Sequence, residues 1–247
     1  MDVLSEIIAK KRERVREAKA RARPHAFLNA LRGDGINIIA EFKRRSPSKG
    51  MIREGADPIE IARAYQAGGA VAMSVLTEED YFAGSLEDLR QVKSAVELPA
   101  LRKDFIVDEY QVYESAAAGA DAILLIVAAL DDELLLRLRR LAEDELGMDA
   151  LVEIHTSDEM ERAVACGAKL IGVNNRDLRT FEVSLDTSLR LAGSAPVDAL
   201  LISESGLNNS ADLQCLYDAG YRGFLIGETL MRADDPAAAL RNFRGHK

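Results

Sequence analysis

Five ionic or amide side chains, Glu41, Lys43, Lys103, Glu153 and Asn174, each stand at the end of a short apolar run. Carboxylates and ammonium groups are the types that move protons in acid–base catalysis. Burying one costs several kcal/mol unless it is paired, so a convergent set is hard to explain as packing. Glu41 and Lys43 are two apart and would point the same way off a strand. Two lysines beside two glutamates predict perturbed acidities. A lysine near another cation in a partly dry pocket has its pKa lowered, and a glutamate among apolar neighbours has its raised. A second signal is Ser205-Gly206 and Gly227-Glu228, where glycine lets backbone N–H groups approach an anion such as phosphate. The Glu228 side chain would repel phosphate, so only its backbone is expected to take part. His155 reads as a loop histidine satisfied by hydrogen bonds, and His25 and His246 carry no assignment.

These residues need elements to bring them together. Apolar runs recur at 37–42, 70–76, 100–105, 122–127, 150–154, 170–173, 200–203 and 223–226. Stretches of helical period follow them, for example 58–67, 86–96, 108–118, 132–143, 157–166, 210–219 and 236–243. A glycine recurs just before a strand, at Gly69, Gly119, Gly167 and Gly220, as expected where a helix ends in the left-handed conformation. Strands buried on both faces and separated by helices imply a parallel sheet. Eight such units predict an α/β fold of the (β/α)8 TIM-barrel type, with chemistry at the C-terminal strand ends and phosphate held by loops 7 and 8. Residues 2–22 read as an amphipathic helix and 26–31 as a helical turn. The whole chain, 1–247, is expected to be one barrel domain with 1–34 as a helical extension. Residues 44–50 read as a mobile polar loop. No Gly-x-Gly-x-x-Gly turn follows the first strand, so a dinucleotide site has no support.

Composition excludes other classes. Of 247 residues 48% are hydrophobic, enough for one large core. With 41 acidic and 32 basic residues the net charge is −9, a poor match to nucleic acid, whose phosphates demand basic partners. Cys166 and Cys215 read as small buried apolar residues in a reducing compartment. Three scattered histidines suggest no metal site. The longest apolar run, nine residues from Ala122 to Leu130, is far short of the roughly 20 a membrane span needs. No secretory signal is evident at the N-terminus, so a cytoplasmic location is expected.

The segment Ile39-Ala40-Glu41-Phe42-Lys43-Arg44-Arg45-Ser46-Pro47-Ser48-Lys49-Gly50 resembles the signature of the indole-3-glycerol-phosphate synthase family. So do Leu101-Arg102-Lys103-Asp104-Phe105-Ile106-Val107, Val152-Glu153-Ile154-His155, Gly172-Val173-Asn174-Asn175-Arg176-Asp177-Leu178 and Ser203-Glu204-Ser205-Gly206-Leu207. The resemblance spans essentially the whole chain. It implies a carboxy-lyase of tryptophan biosynthesis, without cofactor and as a monomer. The substrate would be 1-(o-carboxyphenylamino)-1-deoxyribulose 5-phosphate, converted to indole-3-glycerol phosphate, CO2 and water.

Position by position, the resemblance makes Lys103 the general acid at the ketone oxygen and Glu153 the base or proton shuttle of the dehydration. Glu41 and Lys43 become their polar partners, with Lys43 also reaching the substrate carboxylate or phosphate. Asn174 would orient hydroxyls or the carboxylate, supported by Arg176. Phe82, Phe105 and Leu124 would line the aryl pocket, and Ser46 would touch substrate. Ser205, Gly206, Gly227 and the Glu228 backbone would take the phosphate. Two other readings are weaker. The related phosphoribosylanthranilate isomerase uses a cysteine–aspartate pair, and no cysteine ends strand 1 here. A retired barrel serving as a scaffold would have no reason to keep five costly polar groups.

Overall fold

The computed structural model describes residues 7–8, 10–12, 24–177 and 180–245. Ile7, Ile8 and residues 10–12 are helical and exposed. The rest of the helix expected over 2–22 lies outside the described residues, as do Leu178 and His246.

Eight strands form a closed parallel barrel: β1 (Asn37–Phe42), β2 (Ala72–Leu76), β3 (Ala100–Lys103), β4 (Ala122–Ile126), β5 (Asp149–Ile154), β6 (Leu170–Asn174), β7 (Leu200–Glu204) and β8 (Gly223–Ile226). Neighbours in sequence pair in parallel, and β8 pairs with β1 to shut the ring, Asn37 opposite Gly223. The helices are α1 (Ala26–Ala30), α2 (Pro58–Gly68), α3 (Leu86–Ala95), α4 (Glu109–Ala117), α5 (Asp132–Arg140), α6 (Ser157–Ala165), α7 (Asp186–Leu191), α8 (Ser210–Asp218), α9 (Glu228–Arg232) and α10 (Pro236–Phe243).

Local chemistry starts and stops these elements. Side chains of Asp57, Ser85, Asp108, Asp131, Thr156, Asn209 and Asp235 accept hydrogen bonds from first-turn N–H groups. Each such cap stabilises by about 1 kcal/mol. Gly69, Gly119, Gly167 and Gly220 have φ of +87, +86, +79 and +109, the left-handed helix endings expected of them. The strands alternate. Ile39, Leu101, Leu124, Leu151, Ile202 and Leu225 fill the barrel interior, while Ile38, Met73, Ile123 and Val152 meet the helices.

The floor of the ring is stoppered from the N-terminal side. Phe27 and Leu31, both fully buried, join the interior cluster. Asp149, at the start of β5, accepts from the Leu28 N–H at 2.8 Å and lies 2.9 Å from His25 Nδ1.

Some expectations need correction. β3 ends at Lys103, not Phe105, because Asp104 turns away to bond Thr77 and Arg102. The polar segment 44–50 contains regular structure that the loop reading did not include. Arg45 and Ser46 pair with Met51 and Gly50 in a small antiparallel hairpin, and Arg44 is clamped to Asp88 at 2.7 and 2.8 Å. Cys166 is buried but Cys215 is exposed, because Leu213 and Leu216 take the inner face of α8.

Candidate active site

At the C-terminal strand ends lies a cavity of about 680 Å³. Its wall includes Glu41, Lys43, Ser46, Phe82, Lys103, Phe105, Leu124, Glu153, Asn174, Arg176, Ser205, Gly206, Gly227 and Glu228. Strand periodicity explains this convergence. On four strands an inward-pointing apolar residue is followed two positions later by a charged one: Ile39 by Glu41, Leu101 by Lys103, Leu151 by Glu153, Ile202 by Glu204.

The same rule yields a residue that strand-end inspection left unassigned. Glu204, the last residue of β7, lies on the cavity wall and 3.1 Å from Lys103 Nζ. Alternation from Ile202 was the signal that could have found it.

Lys103 is therefore held by two acids, Glu204 at 3.1 Å and Glu153 at 3.2 Å. Lys43 pairs with Glu41 at 2.6 Å. This overturns the expectation of a lysine made more acidic by a neighbouring cation. Burial does push the Lys103 ammonium down, but the carboxylates of Glu204, Glu153 and Glu41 outweigh it and hold the ammonium above its ordinary value.

The glutamates diverge. Burial raises both, but Lys103, His155 and a hydrogen bond from Asn174 hold Glu153 below the usual carboxylate range. Glu204 is pushed up to about 7 by burial and by the nearby Glu153 and Glu41 charges, which Lys103 only partly offsets. Its Oε1 is buried and has no hydrogen-bond partner among the described residues.

Two glycines make room for the acids. A Cβ on Gly172 would collide with Glu204 Oε1, and one on Gly227 with Glu41 Oε1. Bare backbone at position 227 thus seats a carboxylate as well as lining the β7–β8 end of the cavity.

At that end Ser205 and Gly206 have φ of +66 and +77, two successive left-handed residues that swing the chain out of β7. Asn175 and Asn208 brace the turn by donating to the Ser205 and Gly206 carbonyls at 3.1 and 2.8 Å. Glu228 opens α9, and its carboxylate is drawn aside to Arg232 at 3.1 Å. Lys49, Arg176 and Arg232 add positive charge to the wall. The opposite rim is apolar: Phe82, Leu124 and Phe105, the last about half exposed. Glu78 shapes that rim, because its carboxylate accepts from the N–H groups of Asp80, Tyr81 and Phe82 at 3.1, 2.7 and 3.1 Å. No cluster of His, Cys, Asp and Glu suited to a metal ion exists among the described residues.

The chain is similar to known proteins. The family model described as indole-3-glycerol phosphate synthase matches residues 3–243. Proteins of that name from Polaromonas naphthalenivorans and Carboxydothermus hydrogenoformans are 45% and 46% identical. The first alignment covers 99% of both chains, the second 96% of this chain and 97% of the other. A solved 3-hexulose-6-phosphate synthase superposes with a TM-score of 0.66 over 85% of this chain and 98% of its own, at 17% identity, a likeness of fold alone. Because the matched residues include every strand of the ring and every wall of the cavity, the chain belongs to the indole-3-glycerol phosphate synthase family.

Proposed function

We propose that this cavity performs the family's decarboxylating ring closure, with Lys103 as the proton donor. The observation that carries the reading is the Lys103 ammonium, 3.2 Å from Glu153 and 3.1 Å from Glu204, between an apolar rim and an anion-receptive end.

The substrate's phosphate would sit by Ser205, Gly206, Gly227 and the Glu228 backbone, and its aryl ring among Phe82, Phe105 and Leu124. Fixing both ends of a flexible chain brings the aryl carbon onto the ketone, which is a large part of any ring-closing rate gain. Attack turns the ketone oxygen into an alkoxide. An alkoxide is basic enough to take a proton even from an ammonium of undiminished pKa, so Lys103 needs position more than acidity. CO2 then leaves and the aryl ring regains aromaticity.

Dehydration follows. Glu153, kept ionised, takes the carbon-bound proton while the new hydroxyl leaves as water with a proton from Lys103, which Glu204 has recharged after the first transfer. Glu204, protonated near neutral pH and in contact with Lys103, can return a proton to the spent amine, which is the stronger base. Lys43, Ser46, Asn174 and Arg176 would hold the carboxylate and hydroxyls, and Glu41 would hold Lys43 in place.

The same reading makes the chain a single-domain, cytoplasmic monomer. No helix among the described residues is long and apolar enough to cross a membrane. The test is direct. The sequence has no Trp, so indole formed from the phosphorylated substrate fluoresces over a dark background. Purified chain should generate that signal without added metal, and a flat trace with intact protein would refute the reading.

A further inference from the structure

His155 follows β5, two residues after Glu153. Its backbone N–H donates to Glu159 Oε2 at 2.6 Å, and its Nδ1 lies 3.3 Å from the same oxygen. Glu159 sits in the first turn of α6, its own N–H bonded to Thr156 Oγ1 at 3.2 Å. The ring is thereby fixed. Its other nitrogen, Nε2, is buried, has no hydrogen-bond partner among the described residues, and faces Glu153 Oε1 at 3.6 Å. The second Glu153 oxygen, Oε2, takes Lys103. His155 itself is not on the cavity wall, whereas Glu153 is.

We infer that His155, oriented by Glu159, is a positioning residue that keeps Glu153 ionised and turned toward the cavity. The inference rests on the reading of Glu153 as a proton acceptor.

The ring's protonation follows from its neighbours. With a proton on Nδ1 serving Glu159, a neutral imidazole would turn the Nε2 lone pair onto a carboxylate oxygen. Only the doubly protonated ring gives each flanking oxygen a hydrogen. The charged groups acting on it are Glu159 on α6, Glu153 on β5 and Glu204 on β7, while Lys103 on β3 and Asn174 on β6 act on Glu153, and Arg162 on α6 acts on Glu159. Burial lowers the imidazole pKa, but the Glu159 hydrogen bond and the Glu153, Glu159 and Glu204 charges outweigh it and raise it. A buried cation behind Glu153 stabilises the carboxylate form and draws Oε1 by charge while Lys103 holds Oε2, as the orienting acid does for a catalytic histidine, with the roles exchanged.

The test titrates the full chain without substrate, following glutamate carboxyl carbons and histidine ring resonances by NMR. Glu153 is assigned by its loss in Glu153→Gln. In His155→Asn the Glu153 midpoint should rise by about one pH unit, the size expected when an adjacent opposite charge is removed. The acidic limb of kcat/KM should move with it. In Glu159→Gln, which leaves His155 in place and serves even if the first variant misfolds, the His155 midpoint should fall. An unmoved Glu153 midpoint, or a His155 midpoint indifferent to Glu159, overturns the inference. A Glu153 midpoint that moves while the acidic limb stays put supports the inference and removes Glu153 from the base role, so the two claims fail separately.

Discussion

Gly227 and Glu41 contend for one space: a Cβ at position 227 would overlap the Glu41 carboxylate oxygen that pairs with Lys43. Gly227→Ala should therefore act through Glu41. Displacing a catalytic constellation by about 1 Å costs on the order of 10²-fold in rate. We expect kcat to fall by about that factor in Gly227→Ala, and the same change in a Glu41→Ala background to add little. Steady-state kinetics of the two single variants and the double variant check this.

Lys103→Ala should abolish turnover, a loss of at least about 10³-fold if proton donation is its role. Inorganic phosphate should bind as in the parent protein, since the anion end is untouched. Product fluorescence reads the first outcome and calorimetry the second. Retained turnover would remove Lys103 as the acid.

Glu204 should leave a mark on stability against pH. Its folded-state pKa is raised to about 7 from an ordinary 4.5, so between those values the native state holds a proton that the unfolded state releases. Stability contributed by this group is thus fully present at about pH 4.5 and lost as pH rises through about 7. The span is about 3 kcal/mol at most. Glu204→Gln should flatten that slope. Urea denaturation at pH 5 and pH 8 compares the two proteins, and equal slopes would contradict the assignment.

Gly206→Val should weaken phosphate binding. Position 206 has φ +77, and a Cβ there would lie 2.5 Å from Val183 Cγ1. A β-branched residue held left-handed costs about 1–2 kcal/mol or distorts the turn. We expect the Kd of inorganic phosphate to rise about tenfold or more with the fold preserved. Unchanged affinity would show that the anion lies elsewhere.

The ring was legible because its signals are local. Eight apolar runs and four helix-ending glycines need only nearest neighbours along the chain to be read. Glu41 and Lys43 were legible as a pair for the same reason. The sign of the Lys103 shift was not, since it depends on Glu153 and Glu204, which are 50 and 101 positions away and adjacent only after closure. The hairpin at 44–50 was hidden because its anchor, Asp88, sits 44 residues downstream of Arg44. His155 was half legible: Nδ1 is satisfied within one helical turn, while the approach of the buried Nε2 to Glu153 is a matter of geometry.

The stopper beneath the ring has a consequence for synthesis. His25 and Leu28 bond to Asp149, 124 and 121 positions later. At about 5–20 residues per second, a nascent chain waits roughly 6–25 s between making Phe27 and making its anchor. Until then the carboxylate that ties down this segment does not exist, so its final seating is a late event of maturation.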